Sequence, residues 1–272
     1  MFDLSLVDPG RATNFFGLFS GLTFHSTKRD FDLTNALWLA EISRLIYRRS
    51  GEVNSHPAPL RRDFLRVQEL EELHFFSDDK TQAALVGGRG FRVLVFRGTE
   101  PLRLLEDLRI DADVRLEPWQ HGGHIHKGFR DAFLDIWEKK IEPHRGDLSA
   151  PLFLTGHSLG AALATIATSF LIAEGIPVAA TYNFGSPRVG DAAFTATLAH
   201  QPIYRIVNDN DVITTVPPCS NPGYCHVGTL VHIAHNGALE VSEHARDENR
   251  VSIDILDHVP SNYVERLRAR IS

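Results

Sequence analysis

Apolar residues recur at helical spacing through Ala36, Leu37, Leu39, Ala40, Ile42, Leu45 and Ile46, behind a polar start at Asp32 or Thr34 that suits an N-cap. Leu60 to about Leu70 predicts a shorter helix. The pattern then changes period. Leu73 to Ser77, Gln82 to Val86 and Phe91 to Arg97 read as strands, and the turns Asp78-Asp79-Lys80 and Gly87-Gly88-Arg89-Gly90 suit an antiparallel meander. Leu102 to Ile110 is short and amphipathic, and Val114 to Glu117 is extended. Gly128 to Ile141 is helical, with Phe129, Phe133, Ile136 and Trp137 on one face. The apolar run from Pro151 to Thr155 is a strand, and the Ala/Leu/Ile-rich stretch from Ala161 to about Ala173 is a helix. Val178 to Asn183 and Ile203 to Val207 are two more strands. Leu230 to His235 and Leu239 to Val241 form a hairpin turning at Asn236-Gly237. Pro260 to Ile271 closes the chain as a helix. Strands alternate with helices from Phe91 onward, with no linker, repeat or low-complexity stretch. The expectation is one α/β domain over residues 1–272, built on a mixed central sheet. Residues 1–30 form an arm that the pattern does not assign. Its Phe15, Phe16, Phe19 and Phe24 are expected to pack onto the core rather than face acyl chains or a membrane.

Composition narrows the function classes. The chain has 272 residues, 43% hydrophobic and 23% charged, ordinary values for a globular protein. A net charge of -6, with a pI near 6.1, offers no basic face to nucleic acid and no strong electrostatic attraction to anionic lipid. Any membrane contact has to be apolar. No run is long and apolar enough to span a bilayer, and the amino terminus lacks a basic leader. The expected protein is soluble and able to act as a monomer, in the cytoplasm or exported without a classical leader. Cys219 and Cys225 lie in a turn-rich segment compatible with a local disulfide or with two unpaired thiols.

Candidate chemistry centres on Gly156-His157-Ser158-Leu159-Gly160, between the strand that ends at Thr155 and the helix that starts at Ala161. Strand, Gly-x-Ser-x-Gly and helix make the nucleophile elbow of α/β-hydrolases. Gly156 and Gly160 lack a Cβ, so strand and helix can approach closely there. A serine hydroxyl needs a base and an orienting acid, which in this fold follow it in the order acid, then histidine. Asp211 closes the segment after the Ile203–Val207 strand, with Asp209 as its local rival. His258 precedes the last helix. His226, His232, His235 and His244 also follow Asp211, so order alone does not choose among them.

Further segments carry a family resemblance. They are Val95-Phe96-Arg97-Gly98-Thr99-Glu100, His126-Lys127-Gly128-Phe129, Thr155 to Gly160, Phe184-Gly185-Ser186-Pro187-Arg188-Val189-Gly190-Asp191, Asn208 to Pro218, and Asp257-His258. In this order, spanning roughly Phe91 to Tyr263, they resemble the class 3 lipases, the fungal-type triacylglycerol lipases. The resemblance implies an α/β-hydrolase fold with a mostly parallel mixed sheet flanked by helices. It implies Ser158 as nucleophile, Asp211 as acid and His258 as base, with the backbone N–H groups of Thr99 and Leu159 as the oxyanion hole. It also implies a lid over residues 100–111, with Leu102, Leu104, Leu105 and Leu108 on its apolar side. Asp107 is expected to support the oxyanion loop through the Thr99 hydroxyl. The chain departs from the family at Ala161, where a glycine is usual, which sets helix and sheet further apart. It departs again in lacking the tryptophan many members carry after Thr99.

The implied reaction is hydrolysis of a carboxylic ester, most directly an acyl ester of glycerol at a lipid–water interface. A non-lipid esterase of the feruloyl-esterase kind, a phospholipase and an inactive hydrolase-fold binding protein are the competing readings. The serine mechanism calls for no cofactor and no metal. The histidines of His121-Gly122-Gly123-His124-Ile125-His126 are accordingly read as structural.

Overall fold

The computed structural model describes residues 9–17, 19, 21–48, 59–78, 81–99, 114–220, 223–242 and 255–271. Its strands are β1 (Glu71–Ser77), β2 (Gln82–Gly88), β3 (Phe91–Phe96), β4 (Leu116–Pro118), β5 (His124–His126), β6 (Leu152–His157), β7 (Val178–Phe184), β8 (Ile203–Asn208), β9 (Thr229–Ile233) and β10 (Leu239–Ser242). Eight of them form one sheet in the order β1-β2-β3-β6-β7-β8-β9-β10, while β4 and β5 pair separately. The pairs from β3 through β9 are parallel; β1, β2 and β3 form the expected antiparallel meander, and β9 with β10 the expected hairpin. This is the mixed, mostly parallel sheet of the α/β-hydrolase fold.

The alternation of strand side chains builds two cores. Val93, Val95, Phe153, Tyr182, Phe184, Ile206 and Val231 face one layer, under α1 (Leu33–Leu45) and α6 (Pro260–Arg268). Leu94, Phe96, Leu152 and Leu154 face the other, under α3 (Lys127–Ile136) and α4 (Leu159–Ala173). Every residue of β6, β7 and β8 is buried, which is why these strands read as near-continuous apolar runs. Thr165 and Thr168 do not face solvent. They form a polar seam with the sheet: Asn183 Nδ2 donates to Thr165 Oγ1 at 2.8 Å, and the Thr168 and Thr181 hydroxyls meet at 2.7 Å.

Several expected bounds move. Asp32 is the N-cap of α1, its carboxylate accepting from Asn35 N at 2.9 Å. α2 is only Arg61–Val67, and the helix predicted to Ile141 turns into a π-helical stretch at Trp137–Ile141. The three-residue β5 and α5 (Ala192–Thr197) were not expected at all. The arm packs as read, with Phe15, Phe16, Phe19 and Phe24 in the first core. It is pinned to α1 by polar contacts. Phe16 N donates to Glu41 Oε1 at 3.1 Å, and Arg44 donates to Asn14 Oδ1 at 3.0 Å and Glu41 Oε2 at 2.8 Å. Burial raises the Glu41 carboxyl despite Arg44, so this fully buried acid depends on its arginine. Cys219 and Cys225 form no disulfide. No helix among the described residues is long and apolar enough to cross a membrane.

The elbow needs its glycines. A Cβ on Gly156 would collide with the backbone carbonyl of Gly160. One on Gly160 would collide with the Phe96 carbonyl oxygen and lie 2.8 Å from its carbon. The tight approach of α4 to the sheet is therefore set at Gly160, with Ala161 fully buried beside it. Backbone atoms cannot swing aside as side chains do. Gly160→Ala is expected to destabilise the fold by about 1–3 kcal/mol, although alanine is the better helix former. The urea midpoint reports this, and a rise in the midpoint would contradict it.

Candidate active site

β6 ends at His157 and α4 begins at Leu159, so Ser158 makes the whole turn alone. Its φ of 60° and ψ of -128° lie in a region that side-chain-bearing residues avoid. The strain is held by hydrogen bonds on both sides. Ser158 N donates to Phe184 O at 2.9 Å, and Ser158 O accepts from Ala161 N at 2.9 Å. Ser158 Oγ is buried and has no hydrogen-bond partner among the described residues; the same is true of His258 Nε2. The two atoms are therefore not hydrogen-bonded to each other.

The other face of the imidazole is fully engaged. His258 lies in a 3-10 turn, Leu256–His258, just ahead of α6. Its Nδ1 donates to the Asp211 carboxylate, 2.8 Å from Oδ2 and 3.0 Å from Oδ1. Asp211 follows the end of β8 and is completely buried. It also accepts from Tyr263 OH at 2.5 Å and from Ile213 N at 2.9 Å. Burial alone would push its carboxyl up. The attraction and hydrogen bond of His258 and the Tyr263 hydroxyl outweigh that and hold it below the usual value, so Asp211 is an anion. Because Asp211 is anionic, Nδ1 carries the proton and Nε2 is left as the basic nitrogen.

The Asp211 and His258 segments are stitched together. Asn208 Nδ2 donates to Asp257 O at 2.9 Å, Asn210 N donates to Asp257 Oδ2 at 3.1 Å, and Asn208 N donates to Tyr263 OH at 3.2 Å. A second tie runs through the elbow. His157 Nε2 lies 2.7 Å from His258 O, which can only accept, so Nε2 carries the proton. Nδ1 then accepts from Tyr47 OH at 3.0 Å. Burial, and then the neighbouring His258, pull the His157 pKa down to about 3, and it stays neutral. Tyr47, His157 and Tyr263 were not picked out from the sequence, since nothing local marks them.

The His157 shift has a stability consequence with a definite sign. An unfolded histidine takes up a proton below pH 6.5, whereas the folded site refuses it until about pH 3. Folding stability should therefore fall as pH drops through that window, by about 2–3 kcal/mol at pH 4.5 from this residue alone. Asp211 adds a loss of the same sense only at lower pH. Urea midpoints measured from pH 7 to 4 should show a shallower slope in His157→Gln. An unchanged slope would mean that His157 is not the group responsible.

The other expected residues separate clearly. Asp209 pairs with the exposed His235 at 2.7 Å and sits 3.7 Å from Arg266, away from His258. His232 Nε2 lies 3.1 Å from Asp209 O. His244 lies outside the described residues, as do Asp107, Leu102, Leu104, Leu105 and Leu108. Gly98, the residue before Thr99, packs on the elbow: a Cβ there would lie 3.2 Å from Ser158 Cβ. Leu159 opens α4, where backbone N–H groups lack intrahelical partners. In the His121–His126 segment, His124 Nδ1 meets Asp191 at 2.9 Å and His126 Nδ1 caps α3 by accepting from Gly128 N at 3.1 Å.

The family model of Lipase (class 3) matches residues 93–221, from β3 through the elbow and past Asp211. The secreted mono- and diacylglycerol lipase A of Penicillium cyclopium is 37% identical over 212 residues, covering 75% of this chain and 66% of its own. The chain belongs to the class 3 lipase family. A second relative, the chloroplastic phospholipase A(1) DAD1 of Arabidopsis thaliana, is 34% identical over 166 residues, 51% of this chain and 36% of that protein. The chain thus spans between about a third and two thirds of the length of these two relatives. Among solved structures, a fungal lipase–inhibitor complex superposes with a TM-score of 0.66 at 22% identity, covering 83% of this chain and 92% of that one, which establishes the shared fold.

Proposed function

We propose that this class 3 lipase is a serine carboxylic-ester hydrolase acting on acyl esters of glycerol. The observation that supports the reading is the buried Asp211–His258 pair, 2.8 Å between Nδ1 and Oδ2, in a chain whose elbow serine holds a strained turn after β6. In the proposed reaction His258 Nε2 takes the Ser158 proton as Oγ attacks the ester carbonyl. The backbone N–H groups of Thr99 and Leu159 receive the negative oxygen of the tetrahedral intermediate, a contribution of about 3–4 kcal/mol for one such donor. The imidazolium then gives its proton to the departing alcohol. Water, deprotonated by the same nitrogen, releases the fatty acid and restores Ser158. Asp107 is proposed to hold the Thr99 hydroxyl and so orient that N–H.

The glycerol-ester reading draws support from the Penicillium relative's name, and the Arabidopsis relative's name keeps a phospholipid ester as the second reading. A lid over residues 100–111 is part of the proposal. Ser158 Oγ and His258 Nε2 are shut off from solvent, so an ester reaches them only after a covering group moves. Leu102, Leu104, Leu105 and Leu108 would shield the site when closed and widen an apolar rim when open, which suits a net-negative protein meeting lipid by hydrophobic contact. The test is hydrolysis of tributyrin through its solubility limit. Wild type should accelerate once droplets form, and Leu104→Ser with Leu105→Ser should blunt the rise. Smooth saturation in both proteins would leave an esterase without an interfacial lid.

A further inference from the structure

Two backbone irregularities lie on histidines at the far edge of the sheet. The β1–β2 register shifts between Glu72 and His74, which re-aims the side chain that follows. The Glu142–Leu148 segment breaks helical geometry at His144, with φ -107° and ψ 15°. It follows directly on the π-helical Trp137–Ile141, a rare form that often marks functional positions. These departures bring two imidazoles together, their ring centroids 3.9 Å apart at an interplanar angle of 41°. Asp147, three residues beyond His144, completes the group. Its Oδ2 lies 2.8 Å from His74 Nε2 and 3.9 Å from His144 Nδ1.

We propose that His74, His144 and Asp147 form a site for one borderline divalent transition-metal ion, with Zn²⁺ as the best fit. One ligand atom from each residue lies within 4.8 Å of the others. Bonds of about 2.0–2.2 Å to nitrogen and oxygen put the corners of a zinc tetrahedron roughly 3.3–3.5 Å apart. The observed 2.8 and 3.9 Å bracket that spacing, so small side-chain rotations close the site. Two imidazoles and a carboxylate favour Zn²⁺ and its neighbours over Ca²⁺ or Mg²⁺, which take oxygen ligands. Both imidazoles also pack on Phe76, at 5.8 Å for His74 and 5.6 Å for His144 between ring centroids, which holds them facing Asp147. The side chains of His74, His144 and Asp147 are 28%, 41% and 52% exposed, so an ion enters without opening the fold and water completes its shell.

The site is structural in role. β1 is an edge strand, three places from β6, or roughly 14 Å across the sheet. The bound ion would clamp this edge to the segment that leads into β6, and the proposal does not rest on the ester chemistry. Chelator-stripped protein titrated calorimetrically with Zn²⁺ should bind one ion at this site and gain several degrees in Tm. Losing an outer-shell partner costs metal sites about 10–100-fold in affinity, and losing a ligand should cost at least as much. His144→Ala and Asp147→Asn should each show that loss, and His74→Gln with His144→Gln should abolish both the binding and the Tm gain. Ester hydrolysis without metal should be unchanged in all three. His200→Gln, at a histidine outside the cluster, should bind like wild type. The proposal is overturned if wild type gains no Tm and takes up no ion, or if the His74/His144 double variant, folded by circular dichroism, still binds as wild type does.

Discussion

Ser158→Ala should lose roughly 10⁵–10⁶-fold in kcat on p-nitrophenyl butyrate while folding as wild type does. Removing Oγ removes the atom that forms the acyl-enzyme, so no neighbouring group can substitute for it. The residual rate would come from the oxyanion donors and from binding, neither of which needs the hydroxyl. The turn itself should survive, because Ser158 is held by its backbone bonds to Phe184 and Ala161 and its Oγ has no hydrogen-bond partner among the described residues. His258→Ala should fall about as far, since the two act as one unit. Wild-type turnover in Ser158→Ala would mean that Ser158 is not the nucleophile, and a wild type without turnover would leave the hydrolase-fold binding protein as the better reading. Loss in His235→Ala with retention in His258→Ala would move the base.

Asp211→Asn should cost about 10⁴-fold in kcat, less than the serine, with KM little changed. The reason lies in how the carboxylate is surrounded. Oδ1 accepts from Ile213 N and Oδ2 from Tyr263 OH, and both face His258 Nδ1. A carboxamide has one oxygen for these donors. The Ile213 N–H is fixed backbone, whereas the Tyr263 hydroxyl can rotate and accept, so the amide NH₂ should settle on the Oδ2 side. It would then donate to His258 Nδ1 and drive the ring proton onto Nε2, the nitrogen that must accept from Ser158. Asp209→Asn provides the control, since its carboxylate serves His235 and Arg266 instead. If Asp209→Asn lost more than Asp211→Asn, the acid would be misassigned.

The contrast between these two aspartates shows where sequence reasoning reaches. The elbow was legible because all its requirements are local: a strand, two glycines whose Cβ positions are already taken, a serine and a helix. The parallel strands were legible because burial on both faces leaves an unbroken apolar run. β5 and α5 were not, because three and six residues are too few to display a period. His124 and His126 suggested a ligand pair only until Asp191 and the start of α3 supplied their partners. The choice of Asp211 and His258 came from family resemblance, and their contact spans 47 positions. Tyr263 and Tyr47 are more distant still from the groups they bond, the latter 110 positions from His157. The His74, His144 and Asp147 cluster was hidden for the same reason, since a strand edge and a kinked helix end meet only in the folded chain.

The anchoring of the arm also bears on how this catalytic core can be re-engineered. Arg48 grips the carbonyls of Gly10 and Ala12 at 3.0 and 2.7 Å, and Arg44 and Glu41 hold Asn14 and Phe16. The residue beside Arg48 is Tyr47, whose hydroxyl supports His157, which in turn holds the backbone of His258. The arm, which lies outside the matched family region, is therefore linked through α1 and His157 to the backbone of His258. Grafting a new partner onto residues 10–16, or exchanging them between relatives, acts on the contacts that lead to the backbone of His258 as well as on the yield of folded protein.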